Sequence, residues 1–430
     1  MTSSTTIDFE EKVEHNYKHN FTVNLLEGTF FWCGASFIAG RTILPLYVSR
    51  LTDSTFAIGL LATIASAGWL LPQLFTANWV QRLPVKKVVT VRIGFFTERV
   101  PVMLLVPGAW LAIRSPEVAL IVFFILYAWF NIGAGAVAVA WQDMIAKIFP
   151  LATRGKFFGI TNFSGTATAV LGAAAAAWVL DAYEFPYNYM ICFAAAAVFI
   201  FLSWIFLAMT REPAQVNPEP AVSQREYWQR LPAILRTDLN FRRYLLTQIV
   251  VTMGGMAIGF LAVYAVKQWQ LPDSQAGAFT VSMLIGQALS NLAFGWLADR
   301  KGHKLVLELS TLAAALGTGV AYLAPAPAWF HIVFALIGIS AAGFILSGIM
   351  IIFEFSKPEV RPTYIGLANT IVGSIAIFTP MIGGWLADTA GYKALFLTSF
   401  AISITGLAML RWWVREPRRV ANQRISESAR

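Results

Sequence analysis

Apolar runs of about 20 residues or more recur along the chain, and short polar stretches between them hold most of its charge. An α-helix needs about 20 apolar residues to cross roughly 30 Å of hydrocarbon. The runs predict six spans near 22–48, 56–80, 88–113, 117–146, 156–181 and 187–209. Six more follow near 243–268, 275–298, 304–324, 329–354, 363–387 and 391–413, after a polar stretch from about Arg211 to Asn240. A β-barrel would show shorter alternating segments. The expected fold is therefore an all-α membrane protein of twelve transmembrane helices, with an N-terminal arm (1–21), a first half (22–210), a linker (211–242), a second half (243–414) and a tail (415–430).

The halves repeat each other. Arg211-Glu212-Pro213 closes the sixth run and Arg415-Glu416-Pro417 the twelfth; in each, Arg suits the interface and Pro ends the helix. At a spacing of about 207 residues, Arg154 matches Arg361, Gly159 matches Gly366, Asn162 matches Asn369, Trp178 matches Trp385 and Asp181 matches Asp388. Parallel copies of one hydrophobic unit, related by a pseudo-two-fold axis, suit halves that rock around a site between them.

Composition agrees with a bilayer. The 430 residues are 57% hydrophobic and 13% charged, with mean hydropathy +0.62, whereas soluble domains carry roughly a quarter charged residues. Lys and Arg crowd into alternate connections: Arg82, Lys86 and Lys87; Lys147, Arg154 and Lys156; Arg300, Lys301 and Lys304; Lys357 and Arg361. The positive-inside rule then puts both termini in the cytoplasm of a multi-pass protein of the plasma (inner) membrane. The net charge of +9 follows from topology and calls for no nucleic-acid partner.

The first 20 residues are polar and lack the basic start and apolar core of a cleaved signal peptide. Phe9, Val13, Tyr17 and Phe21 recur every four residues, which suits either a short surface helix or a solvated arm. In the linker, Tyr227, Trp228, Leu231, Ile234 and Leu235 alternate with Arg225, Arg230 and Arg236, as in a helix on the membrane surface or a plain tether. Cys33 and Cys192 both fall inside spans and read as small apolar side chains.

Between the eighth and ninth runs the chain reads Gly295-Trp296-Leu297-Ala298-Asp299-Arg300-Lys301-Gly302-His303-Lys304. This resembles the loop signature of the major facilitator superfamily, Gly-x-Leu-Ala-Asp-Arg-x-Gly-Arg-Lys, with His303 where Arg is usual. The corresponding loop of the first half, Asn78 to Lys87, keeps Arg82, Lys86 and Lys87 but lacks the acid and both glycines. By itself, Asp299 at a helix end can cap a neighbouring helix start near Arg154, and Gly302 permits a positive φ. The resemblance implies two charge clusters that hold the cytoplasmic side shut: Asp143, Arg154 and Arg82 in one, Glu354, Arg361, Arg300 and Asp299 in the other, with Gly295 and Lys304 completing the motif.

Four charges lie within spans: Glu27 and Arg41 in the first, Glu98 and Arg99 in the third. Such residues normally face the bundle interior. Glu98, about ten residues into its span, lies near the midplane. Adjacent residues point to different sides of an α-helix, so Glu98 and Arg99 are expected to have different partners. A buried Glu suits a proton carrier, while Arg41 either snorkels to the interface or holds an anionic substrate. A purely structural Glu–Arg pair joining spans one and three is the other reading.

The resemblance implies that the first, fourth, seventh and tenth spans line a central cavity, bringing forward Phe31, Trp32, Trp129, Asn131, Gln248, Thr252, Tyr264, Ser340 and Ser347. Aromatics with scattered amides and hydroxyls suit a small amphipathic solute. Glycines at 59, 68, 165, 172, 286, 373, 383 and 384 suit close helix crossings, and Pro72 and Pro380 interrupt helices. The fifth span reads Gly165-Thr166-Ala167-Thr168-Ala169-Val170-Leu171-Gly172, not the Gly-Pro-x-x-Gly-Gly of many drug–proton antiporters. No phosphate loop, metal cluster or nucleophile–base pattern stands out, so neither an enzyme nor a cofactor is expected. The expected activity is secondary transport of a small solute by alternating access, by a monomer coupled to protons or another ion. Export of amphipathic compounds is preferred; sugar or organic-anion uptake is the alternative, and a non-transporting receptor or membrane enzyme the reading from another class.

Overall fold

The structure, a computed structural model, describes residues 2–214, 235–348, 350–356 and 361–417. Every regular element among them is helical. Helices α1 (Thr2–Phe37) and α2 (Ile43–Leu51) carry the first span and α3 (Thr55–Gln81) the second. Two π-helical turns, Val89–Ile93 and Phe95–Arg99, lead into α4 (Val100–Trp110) for the third. The fourth to sixth are α5 (Pro116–Ile148), α6 (Leu151–Ala182) and α7 (Tyr187–Ala208). Then come α8 (Leu239–Gly254), a 3-10 stretch (Gly255–Phe260), α9 (Leu261–Trp269), α10 (Ser274–Lys301) and α11 (His303–Leu323). The last are α12 (Trp329–Ser347), α13 (Met350–Phe355) and α14 (Arg361–Ala408), which Gly391 divides with φ at 84°.

Among the described residues, nine stretches are long and apolar enough to cross a bilayer, and the last of them, Tyr364–Trp413, is the one Gly391 divides. With the first and third spans added, which are broken or carry charge, the pattern is consistent with twelve.

The first span is interrupted where continuity was expected. Pro45 has no N–H, and its ring would clash with the carbonyl four residues back, on Arg41. The chain leaves the helix at residues 38–42 and restarts at Ile43, where Pro45 is harmless in the first turn. The seventh span breaks at Gly254 and Gly255, the weakest helix formers apart from proline. The Ser399 hydroxyl donates to the Gly254 carbonyl at that break.

The N-terminal stretch is neither a separate surface helix nor a free arm. It continues into the first span as one helix, α1. Val13 is buried, and Tyr17 and Phe21 pack edge-on against Phe149, beside Phe157 and Ile148. The Phe9 side chain and linker residues 225–234 lie outside the described residues; Leu235 packs on the cluster of Phe241, Tyr244 and Ile351.

The chain forms two compact units: Met1–Thr52 with Ile64–Ala221 and Pro272–Gly277, and Asp53–Thr63 with Val222–Leu271 and Ala278–Arg430. The same contacts recur in both. In the first unit, the Asn20 side chain donates to the Arg211 carbonyl (2.9 Å) and accepts from its N–H (2.8 Å). In the second, Asn240 does the same to Arg415, at 3.0 and 2.9 Å. Asp181 accepts from the Ser274 hydroxyl (3.2 Å) at the start of α10, and Asp388 from the Thr55 N–H (3.3 Å) at the start of α3.

Candidate functional site

Three of the four charges expected inside spans come together in the first unit. Glu27, Glu98 and Arg99 are 6%, 8% and 3% exposed. The Arg99 guanidinium donates to the Glu98 carboxylate and, at 3.4 Å, to the Gly94 carbonyl. The expectation of separate partners for Glu98 and Arg99 is overturned. Phe95–Arg99 is a π-turn, wider than an α-turn, and the long Arg99 side chain folds back within it. Glu27, from α1, feels the charges of both Arg99 and Glu98, with the buried Ser203 of α7 as its neighbouring hydroxyl. Arg99 Nε is buried without a hydrogen bond. Two carboxylates and one guanidinium leave this buried set one negative charge in excess when all are ionised.

Arg41 stands apart from them. It lies in the break between α1 and α2 and is exposed. No described group pairs with its guanidinium. A Cβ on the adjoining Gly40 would lie 3.7 Å from the Tyr127 hydroxyl of α5.

The expected cavity residues divide. Trp32 and Trp129 are 49% and 39% exposed. Phe31 packs edge-on against Trp32, and Asn131 donates to the Tyr127 carbonyl at 2.8 Å. Thr252 is partly buried. In the second unit Gln248 donates to the Tyr244 hydroxyl (2.9 Å), Ser340 is buried, Ser347 meets His303 Nδ1 at 3.0 Å, and Tyr264 sits in a ring cluster with Trp269, Phe330, Tyr392 and Phe396. Gln248, Ser347 and Tyr264 thus contact groups of their own unit.

At the charged loops the described residues make several pairs. Asp143 pairs with the buried Lys86 at 3.2 Å. Glu212 of the first Arg-Glu-Pro accepts from the backbone N–H groups of Lys86 (3.0 Å) and Lys87 (2.6 Å) and pairs with Lys147 at 2.8 Å. Burial pushes the Lys87 ammonium below its ordinary value, which Glu212 partly opposes. In the second unit, Glu354 lies 3.9 Å from His303, and Lys304 pairs with Glu308 at 3.1 Å. Arg300 stacks over the Trp296 ring at 4.4 Å. Gly302 has φ at 92°, and a Cβ there would meet the Glu416 carboxylate at 2.7 Å. Gly295 has open space around it, while Asp299 and Arg82 are exposed. The side chains of Arg154 and Arg361 lie outside the described residues.

One cluster has no counterpart among the expected sites. Asp273, buried before α10, takes Arg50 Nη2 at 2.5 Å and Nε at 3.1 Å and accepts from the Tyr189 hydroxyl at 3.0 Å. The Pro272-Asp273-Ser274 string, a helix-start signal, was the available hint.

Comparison with known proteins bears on the whole chain. An uncharacterised MFS-type transporter of Methanocaldococcus jannaschii is 22% identical over 410 residues, covering 94% of this chain and 98% of that protein. A crystal structure of the nucleoside transporter NupG superposes with a TM-score of 0.67 at 12% identity, over 91% of this chain and 100% of that one. A D-xylose–proton symporter gives 0.65 at 16% identity, over 93% and 98%. The Major Facilitator Superfamily model matches residues 28–242 and 244–429, and the chain belongs to that family of membrane transporters.

Proposed function

We propose that this secondary transporter moves a small amphipathic solute across the plasma membrane by alternating access, coupled to protons through Glu27, Glu98 and Arg99. The carrying observation is the buried set with one carboxylate more than it has cations. Desolvation makes an unbalanced buried charge costly, so binding one proton neutralises the set and losing it restores the charge. Such a group can report a proton to the packing of α1, the π-turns and α7. Asp299, with the basic loops, serves in this reading to close the cytoplasmic side, where both termini lie.

Export by antiport is the leading direction, supported by the partly exposed Trp32 and Trp129. Symport of an organic anion is the second reading, favoured by the unpaired Arg41.

The test uses liposomes holding the full chain, screened across solute classes under pH gradients of either sign. A solute whose flux follows the gradient is expected. In Glu98→Gln that dependence should fall at least tenfold, while exchange of the solute without a gradient persists. Proton dependence left intact in both Glu98→Gln and Glu27→Gln would falsify the coupling role.

A further inference from the structure

We infer that Arg41 binds the acidic group of the transported solute, so that the substrates are small organic anions, carboxylates first among them. The inference rests on the carrier reading above and holds for either direction of transport.

The first support is depth. Gly40 lies beside Tyr127, which is eleven residues, about 16 Å of helix, from Pro116 at the start of α5. Centred in a roughly 30 Å hydrocarbon layer, the 33-residue α5 would overhang by about 10 Å at each end. The backbone of Tyr127, whose hydroxyl approaches the break, then lies about 6 Å inside the layer. Measured to the same face along its own span, α2 puts nine residues, about 13 Å, between Arg41 and the end of the span.

The second support is the state of the guanidinium. Charged side chains at membrane depth pair with one another or face water. Arg99 meets that rule through Glu98; Arg41 has no acid, carbonyl or hydroxyl partner among the described residues, and yet is exposed. An always-charged, planar donor left open at this depth is complementary to a carboxylate, which it can grip with two parallel hydrogen bonds.

The third is local backbone. Irregular chain within a membrane is tolerated where it is buried in protein or lines a water-filled recess, and interrupted helices are where many carriers present groups to a solute. Here Pro45 creates the interruption at Arg41 itself, with the Tyr127 hydroxyl close by.

The probes are benzoate and its neutral counterpart benzamide, then octanoate against octanamide, each titrated into the purified full chain while thermal unfolding is followed. At least one carboxylate should stabilise the wild type at concentrations ten or more times lower than its amide. Arg41→Gln should erase that preference and Arg41→Lys keep part of it. Amides matching their acids, no carboxylate effect at all, or a preference that survives in Arg41→Gln overturns the inference. The wild-type comparison stands alone if Arg41→Gln does not fold. Because binding is read without a gradient, the two readings fail separately: carboxylate binding without proton-driven flux sinks the coupling, and proton-driven flux of neutral solutes without carboxylate binding sinks the role of Arg41.

Discussion

Glu212 shows how much one side chain can hold. Its carboxylate is fully covered, takes two backbone N–H groups ahead of the third span and neutralises Lys147, itself only 6% exposed. Removing one partner of a buried pair leaves an uncompensated charge, at a cost of about 3–5 kcal/mol. Glu212→Ala should therefore lower thermal stability strongly, whereas the double variant Glu212→Gln with Lys147→Met should recover much of the loss. Additive losses in that double-variant cycle would show that the two residues do not act together. The residue is visible in the repeated Arg-Glu-Pro, but the triplet alone does not show that its carboxylate is the part held by neighbours. A motif names its residues; only the packing of Lys86, Lys87 and Lys147 around it shows which one works.

Among the helices, small residues separate into those that crossings require and those they do not. A Cβ on Gly338 of α12 would collide with the Met283 carbonyl oxygen of α10, while Gly295, in the most recognisable motif, faces open space. Gly338→Ala should destabilise by about 1–3 kcal/mol through overpacking, and Gly295→Ala should be nearly neutral, both read from unfolding in detergent. The positions of most spans were legible because a stretch of about 20 apolar residues is dictated by bilayer thickness. The interruptions are less legible, because Gly40 with Pro45 and Gly254 with Gly255 mark them without changing the apolar run. Nor could periodicity reveal the π-turn at Phe95–Arg99: it assumes 3.6 residues per turn, and so it assigned Glu98 and Arg99 to different partners.

At the level of the whole chain, duplication was legible as a spacing of about 207 residues, and the spacing has physical content. Asp181 and Asp388, matched only by position, each receive a hydrogen bond from the first residue of a helix from the other stretch of sequence. Charge clusters were less legible, because ion pairs depend on which long side chain reaches which. Lys86, which the resemblance did not place in a cluster, takes Asp143, and the group of Asp273, Arg50 and Tyr189 has no sequence motif of its own.

The paired clips of Asn20 on Arg211 and Asn240 on Arg415 fasten the last helix of each six to the first, as a buckle closes a belt. A belt can be cut beyond its buckle but not through it. Two co-expressed fragments divided after Ala214 should assemble into a complex recoverable by a tag on either piece. Division after Ala208, which puts Arg211 and Glu212 on the wrong fragment, should lose most of that recovery. Equal recovery from the two cuts would mean that the fastening is ornamental. Where this protein can be severed is thus decided by one asparagine, Asn20, far from the cut in sequence.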